Sequence, residues 1–298
     1  MQKGWTNTSG GAVRAYLQLM RPANMVTSAA DALAGYAASG LAPAFPLACV
    51  AISSLGLYGG GVVFNDVFDR RLDAVERPER ALPSGRASVK TAVLLGITLL
   101  AAGIALAFRV SLRSGILACL IAAGAILYDA VAKHSKLFGP TTIGLCRGMN
   151  FLLGLSASPA APGSKWLLAL VWLAYVFAIT AISAGEVHGG SRRTGLLAIL
   201  LVGAVATALA VLAATSGSNG PVAGLILALL LVRVGPPFWR AYRVPEPGHI
   251  RTAVRSGVLS LVVLDSSVAA SFGGWPYGLA VLALLLLASP LARMFAVT

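Results

Sequence analysis

Acidic residues are scarce in this chain: ten in 298, against 23 Lys and Arg, for a formal net charge of +13. Charged residues of both signs make up only 11%, well under the roughly 25% of an ordinary soluble domain. That shortage argues against a water-soluble fold, which would lack polar material for its surface. A polytopic membrane protein has no such need, because lipid covers its apolar outside. Cysteine is scarcer still. Cys49, Cys119 and Cys146 lie far apart with no C-x-x-C pair, so they read as small buried hydrophobes and not as a disulfide framework or metal site. The stretch Met1–Met20 is too polar for a signal peptide, and the first apolar span can serve as an uncleaved anchor. No low-complexity linker interrupts the sequence, which reads as one transmembrane domain over 1–298.

What is abundant is apolar sequence, 57% of residues with a mean hydropathy of +0.83. A helix needs about 20 apolar residues to cross the hydrocarbon core. Ten spans are expected, over 22–40, 45–64, 88–108, 114–132, 137–158, 166–185, 195–215, 221–239, 253–272 and 275–292. Breaking 253–292 differently gives nine. The fold class is therefore an all-α, polytopic membrane helical bundle. Gly59-Gly60-Gly61 inside the second span suits close helix packing in lipid.

The basic residues orient the bundle. With the N-terminus in the cytoplasm, one side collects Lys3, Arg14 and Arg21, the run from Arg70 to Lys90, Lys133 and Lys136, Arg192 and Arg193, Arg240 to Arg255, and Arg293. The other side holds Arg109, Arg113 and Lys165. This is the positive-inside bias of a multi-pass protein, here placed in a bacterial inner membrane. It explains the net charge without a nucleic-acid partner.

Five of the ten acids fall between 66 and 79. Asp66, Asp69 and Asp73 stand at i, i+3 and i+7, on one helical face. Asn65 extends that face by the i, i+4, i+8 spacing to Asp69 and Asp73. Stacked carboxylates repel unless a cation sits among them. Mg2+ suits the task, since it takes oxygen ligands, keeps several waters and bridges one or two carboxylates to a substrate phosphate. The bland alternative is a solvated loop of Asp–Arg pairs with Arg70 and Arg71. Arg77-Pro78 and Pro83-Ser84-Gly85 then end the helix and fix a loop. Arg77, Arg80 and Arg86 on it suit anionic oxygens, which Arg binds in a planar fork.

Asn65-Asp66-x-x-Asp69-x-x-x-Asp73 followed by Arg77-Pro78-x-Arg80-x-Leu82-Pro83-Ser84-Gly85 resembles the first signature of the UbiA prenyltransferase superfamily. Arg21-Pro22-Ala23-Asn24 is similar to its opening motif, and the resemblance extends over most of the chain. Glu76-Arg77-Pro78-Glu79-Arg80, Gly144 through Asn150, and Gly185-Glu186-Val187-His188-Gly189-Gly190 are similar to the UbiA-like EboC branch. The resemblance implies helices around a central cavity. It implies Mg2+-dependent ionisation of a polyprenyl diphosphate and transfer of the prenyl group to a small aromatic or polar acceptor. It implies metal ligation by Asp66, Asp69, Asp73 and Glu186, and catalysis by these with Lys133. Substrate contacts would come from Asn24, Asn65, Arg77, Tyr128, Arg147, Asn150 and His188.

The residues allow other readings at several of these positions. Lys133 is four residues after Asp129, the spacing of a plain helical ion pair. Arg147 and Asn150, at i, i+3 inside a span, face one cavity or form a structural pair with Asp31 or Asp265. Arg233 suits snorkelling to the interface. The family's second motif carries two or three Asp, whereas here Glu186 stands alone, with His188 nearby to hydrogen-bond a phosphate or assist acceptor deprotonation. That departure keeps a rival class open, a non-catalytic lipid-binding protein or transporter component on the same scaffold.

Overall fold

The computed structural model describes residues 9–41, 44–160 and 163–295, and Lys3 lies outside them. Among the described residues twelve α-helices follow one another: α1 (Ser9–Met20), α2 (Pro22–Ala38), α3 (Ala44–Glu76), α4 (Val89–Val110), α5 (Leu112–Ala130), α6 (Phe138–Leu155), α7 (Ala169–Ser183), α8 (Arg192–Thr215), α9 (Gly220–Arg243), α10 (Pro247–Leu259), α11 (Leu261–Gly273) and α12 (Trp275–Met294). The described residues contain no strand. In lipid a helix satisfies every backbone group within its own segment.

Eight helical segments among the described residues are long and apolar enough to cross a membrane, against the nine or ten expected. The two expected spans that fall short are α2, with 17 residues, and α6, with 18. Each carries a buried charge, Asp31 and Arg147, and these charges meet each other. The expected ninth span is also not one rod. It begins at Pro247, turns at Ser260 and continues as α11.

Burial sorts the helices into layers. The segment Pro247–Gly273 is 78% buried over its apolar window, whereas α12 is 22% and α4 and α8 are each 28%. α11 and α2 therefore sit inside, and α4, α8 and α12 face outward, toward lipid. Exposed Leu and Phe on those helices are ordinary there. Cys119, expected to be buried, lies on such an outward face, while Cys49 and Cys146 are buried.

Inner helices approach closely through glycine. A Cβ added at Gly35 of α2 would stand 1.9 Å from the Phe151 carbonyl oxygen, and one at Gly154 of α6 would stand 1.9 Å from the Ala32 carbonyl oxygen. Small residues permit such backbone contact in membranes. It brings the polar residues of α2 and α6 within hydrogen-bonding reach.

α3 is the longest helix, with 33 residues. It continues past its apolar run and ends at Glu76, just before Arg77-Pro78, because the residue preceding proline is pushed out of the helical region. This extension carries the Asp ladder. Arg21 adopts a left-handed conformation (φ 49°) between α1 and α2, with Pro22 opening α2. That corner turns the Arg21 side chain toward the ladder.

Candidate active site

The ladder forms as the spacing requires, but its charges are balanced within the chain. Asp66 Oδ1 accepts from Arg21 Nη2 at 3.0 Å and from Arg80 Nη1 at 3.3 Å. Arg80 Nη1 also donates to Asp73 Oδ2 at 3.0 Å. Lys133 Nζ donates to Asp69 Oδ1. The counter-ions are thus Arg21, Arg80 and Lys133, from three different places in the sequence. Arg70 and Arg71, the neighbours in sequence, are exposed. Asp66 and Asp73 are buried, so each needs a partner that stays close.

Lys133 does not pair with Asp129. α5 ends at Ala130 and Val131 leaves the helical region (φ −138°), so the i, i+4 geometry is lost. Asp129 Oδ1 instead accepts from Asn65 Nδ2 at 2.8 Å. Asn65 and Asp129 thereby tie α3 to α5 beside the ladder.

A second polar group lies deeper. Arg147, 6% exposed, donates from Nη1 to Asp31 Oδ2 at 2.7 Å and from Nη2 to Thr27 Oγ1 at 2.9 Å. Its guanidinium lies 4.7 Å from the centre of the Tyr58 ring. Asn150 Nδ2 donates to the Ser28 carbonyl at 2.7 Å and to Asp31 Oδ2 at 3.1 Å. The Arg147–Asp31 pair expected as one alternative is therefore present. Asp265 accepts from Trp172 Nε1 at 2.8 Å. Arg233 donates to Ser260 Oγ at 3.2 Å, at the turn between α10 and α11, and so serves that break instead of reaching for the interface.

These groups line adjoining cavities. One of about 340 Å³ is bounded by Asn24, Asn65, Asp69, Asp73, Arg77, Tyr128, Arg147 and Glu186, with Val176, Ile179, Val254 and Val258 as apolar wall. A deeper one of about 190 Å³ takes Tyr58, Tyr128, Asp129, Arg147 and Asn150. An outer one of about 540 Å³ holds Asp66, Arg77, Arg80 and Glu186. A further cavity of about 770 Å³ runs from Lys133 to the loop at 183–195 and contains none of the ladder carboxylates. The chemistry is placed where the carboxylates are, in the 340 Å³ cavity.

Glu186 stands in the turn after α7, on the wall shared by the 340 and 540 Å³ cavities. Its Oε1 is buried with no hydrogen-bond partner. Burial pushes its carboxyl above the usual range, and Arg77, Arg251 and Arg21 pull it back only in part. His188, two residues on, is exposed and lines none of these cavities. His188 therefore stands apart from the residues that border these cavities. Of the other expected site residues, the ladder, Asn24, Asn65, Arg77, Tyr128, Lys133, Arg147, Asn150 and Glu186 all border this connected region.

Sequence reasoning missed Tyr58, Thr27 and Trp172. They lie in apolar runs with no motif around them. Arg21 and Arg80 were visible as cations, but their carboxylate partners were not.

The donor set suits Mg2+, being all oxygen. Among the described residues no three carboxylates, imidazoles or thiolates gather closely enough to hold an ion, because Asp66, Asp69 and Asp73 are spread over two turns and each faces a cation. Mg2+ does not need such a cage. It binds through one or two carboxylates, waters and substrate phosphate, and the unpartnered Glu186 Oε1 opposite Asp69 and Asp73 fits that mode.

A model of the UbiA prenyltransferase family matches residues 25–253. The digeranylgeranylglyceryl phosphate synthase of Methanothrix thermoacetophila is 38% identical over 148 residues, 49% of this chain and 55% of that protein. The synthase of the same name from Saccharolobus solfataricus is 28% identical over 236 residues, 78% of this chain and 80% of that one. The chain thus spans about 55% of the length of the first relatives it matches. In structure it is similar to a UbiA homologue from Archaeoglobus fulgidus bound to GPP and Mg2+, with a TM-score of 0.68, 19% identity, and coverage of 90% of this chain and 99% of that one. The match is at the level of the family, and the narrower likeness to the EboC branch stays an expectation. With the family model covering most of the helices that build the cavities, this multi-pass membrane protein belongs to the UbiA prenyltransferase family.

Proposed function

We propose that this chain is an intramembrane prenyltransferase that ionises a polyprenyl diphosphate with Mg2+ and passes the prenyl group to a small aromatic or polar acceptor. The observation that carries the reading is the Asp69–Asp73 ladder facing the unpartnered Glu186 across one cavity with an apolar wall. We read residues 1–298 as one catalytic unit. The basic loops support a cytoplasmic location for this end of the bundle. The sequence points to a bacterial inner membrane, while the relatives named above are archaeal, so the proposal extends only to a membrane that bounds the cytoplasm.

Asp66, Asp69, Asp73 and Glu186 are the residues that would hold Mg2+. When bound, the metal neutralises charge on the diphosphate and so favours its departure. Lys133, paired with Asp69, and Arg77, on the wall of the same cavity as Asp69, would donate N–H groups to the leaving oxygens. The bond from the allylic carbon to the diphosphate oxygen breaks, and its electron pair leaves with the diphosphate. Tyr58 and Tyr128 line the cavity and offer π faces to the allylic cation. Val176, Ile179, Val254 and Val258 keep water from that cation. The acceptor then forms the new bond to the allylic carbon and gives up its proton to the departing diphosphate. Asp31, Thr27 and Asn150 hold Arg147 and the inner wall in place.

Turnover of labelled prenyl diphosphates by the Asp69→Ala and Asp73→Ala variants tests the assignment. Loss of turnover in both, with intact folding, is expected. Wild-type rates in either would sink it.

A further inference from the structure

Two carboxyl groups lie in the innermost layer of the bundle, away from the ladder. Asp31 of α2 and Asp265 of α11 are each 0% exposed. Ala30 and Ala37 of α2 share one buried cluster with Val262 and Ala269 of α11. Asp265 stands three residues after Val262 and four before Ala269, so it lies on that packed face. There the two side chains meet, carboxyl against carboxyl. Their other partners differ in kind. Asp31 Oδ2 accepts from Arg147 Nη1 at 2.7 Å and from Asn150 Nδ2 at 3.1 Å. Asp265 Oδ1 accepts from the neutral indole of Trp172 at 2.8 Å, and Trp172 is locked by stacking on Phe151 with ring centres 4.1 Å apart. The remaining oxygens, Asp31 Oδ1 and Asp265 Oδ2, are buried and receive no donor from another residue. The charged and titratable groups around the pair are Arg147, Tyr58, Tyr175 and Arg233. Tyr58 turns its ring face to Arg147, the Tyr175 hydroxyl donates to the Gly257 carbonyl, and Arg233 is held by Ser260 Oγ. Arg147 is therefore the one of these cations paired with an acid of the two.

We propose that Asp31 and Asp265 hold one proton between them, carried on Asp265 Oδ2 and donated to Asp31 Oδ1, and that Asp265 is thereby a positioning residue for Arg147 at the wall of the substrate cavity. Two ionised carboxylates in contact repel, and an uncompensated charge inside lipid is costly. Full ionisation would set two negative charges against the single Arg147. One proton balances the cluster and supplies the missing donor to both unpartnered oxygens at once. The charge belongs on Asp31, which holds the guanidinium and amide donors, and the proton on Asp265, whose other partner is neutral. The resulting O–H···O⁻ bond is of the short, charge-assisted kind. A continuous chain then runs from Trp172 through Asp265 and Asp31 to Arg147, whose guanidinium lies 4.7 Å from the centre of the Tyr58 ring. Arg147 and Tyr58 both line the 340 Å³ cavity, so Asp265 fixes that wall from the far side without touching substrate. The positioning role rests on the prenyl-transfer reading, whereas the shared proton does not.

Infrared difference spectra of the purified full-length chain in detergent, wild type against Asp265→Asn, test the proton directly. The wild type shows the C=O stretch of a protonated carboxyl, shifted in D2O, that Asp265→Asn lacks. An amide at 265 still donates to Asp31, so Asp265→Asn melts within about 2 °C of wild type. Asp31→Asn takes the anion from Arg147 and melts lower than Asp265→Asn by about 6 °C or more. Asp265→Leu removes the donor and loses prenyl diphosphate turnover by about tenfold, and Asp265→Asn restores it to within about twofold. The proton assignment is overturned if the wild type lacks the band, or if Asp31→Asn is the better tolerated of the two amide variants. A melting temperature that rises with Na+ or K+ relative to choline also overturns it, since a metal cation would then sit between the acids. Asp265→Leu turnover equal to wild type overturns the positioning role. A folded wild type that turns over no prenyl diphosphate strikes the prenyl-transfer reading and the positioning role with it, while the infrared band and the melting order still decide the shared proton.

Discussion

Replacing Gly154 by alanine probes the join between fold and site. A Cβ there would stand 1.9 Å from the Ala32 carbonyl oxygen and 2.8 Å from the Tyr36 nitrogen. Such contacts are essentially never closer than 3.0 Å, so α2 and α6 must part by about 1.1 Å, the difference of the two figures. The obstacles are backbone atoms, and no rotamer change relieves them. Overpacking costs about 1–3 kcal/mol, and a backbone clash belongs at the upper end, about 3 kcal/mol. The same separation strains the polar contacts across the join. The Asn150–Ser28 and Arg147–Asp31 bonds, each 2.7 Å, would lengthen to about 3.8 Å, beyond hydrogen-bonding range. Thermal unfolding of detergent-solubilised protein, followed by size-exclusion fluorescence, measures the effect. At about 2–4 °C per kcal/mol for chains of comparable size, Gly154→Ala should melt about 6–12 °C below wild type. Prenyl diphosphate turnover should fall with it. Gly203→Ala, on the lipid-facing α8 with nothing within 4 Å of the new Cβ, is the control and should melt as wild type does. If the two variants melt within about a degree of each other, the close crossing of α2 and α6 is refuted.

Arg147→Met should cost about 3–5 kcal/mol, because it leaves Asp31 charged and buried without its cation; the yield of folded protein measures this, and the double variant with Asp31→Asn should recover most of the loss. Lys133→Met removes a donor to the leaving diphosphate, so turnover should drop about a hundredfold while the melting temperature moves little, the Lys133–Asp69 pair being partly exposed. His188→Ala, at an exposed position outside the cavities, should leave turnover within about twofold of wild type, and a larger loss in steady-state rates would return His188 to the site.

The spans were legible because apolar runs and basic loops report directly on lipid and water. Eight of them, among the described residues, are long and apolar enough to cross a membrane; α2 is one residue too short, and α6 is long enough but not apolar enough, carrying Arg147 and Asn150, which pair with α2 across the Gly35–Gly154 crossing. The break at Ser260 was not legible, since Ser is common inside membrane helices and its partner Arg233 is 27 residues away. The ladder was read from helical phase alone, and α3 keeps that phase to Glu76. Its counter-ions were harder to identify. Sequence proximity favoured Arg70 and Arg71, but they project outward from α3, while Arg21, Arg80 and Lys133 arrive from a left-handed corner, a proline-bounded loop and the turn after α5. The i, i+4 spacing of Asp129 and Lys133 misled because α5 ends between them. Glu186 was visible as an isolated acid after a span, but its unpartnered oxygen is a property of the packing.

The central claim is that the Asp ladder and Glu186 support Mg2+-dependent ionisation of a prenyl diphosphate, and the most direct measurement is diphosphate release from geranyl diphosphate by the purified protein as Mg2+ is titrated. The account predicts release that rises and saturates with Mg2+, stops on chelation, and is lost in Asp69→Ala. Release that persists under chelation, or a correctly folded wild type that releases none with any prenyl diphosphate length offered, would contradict it.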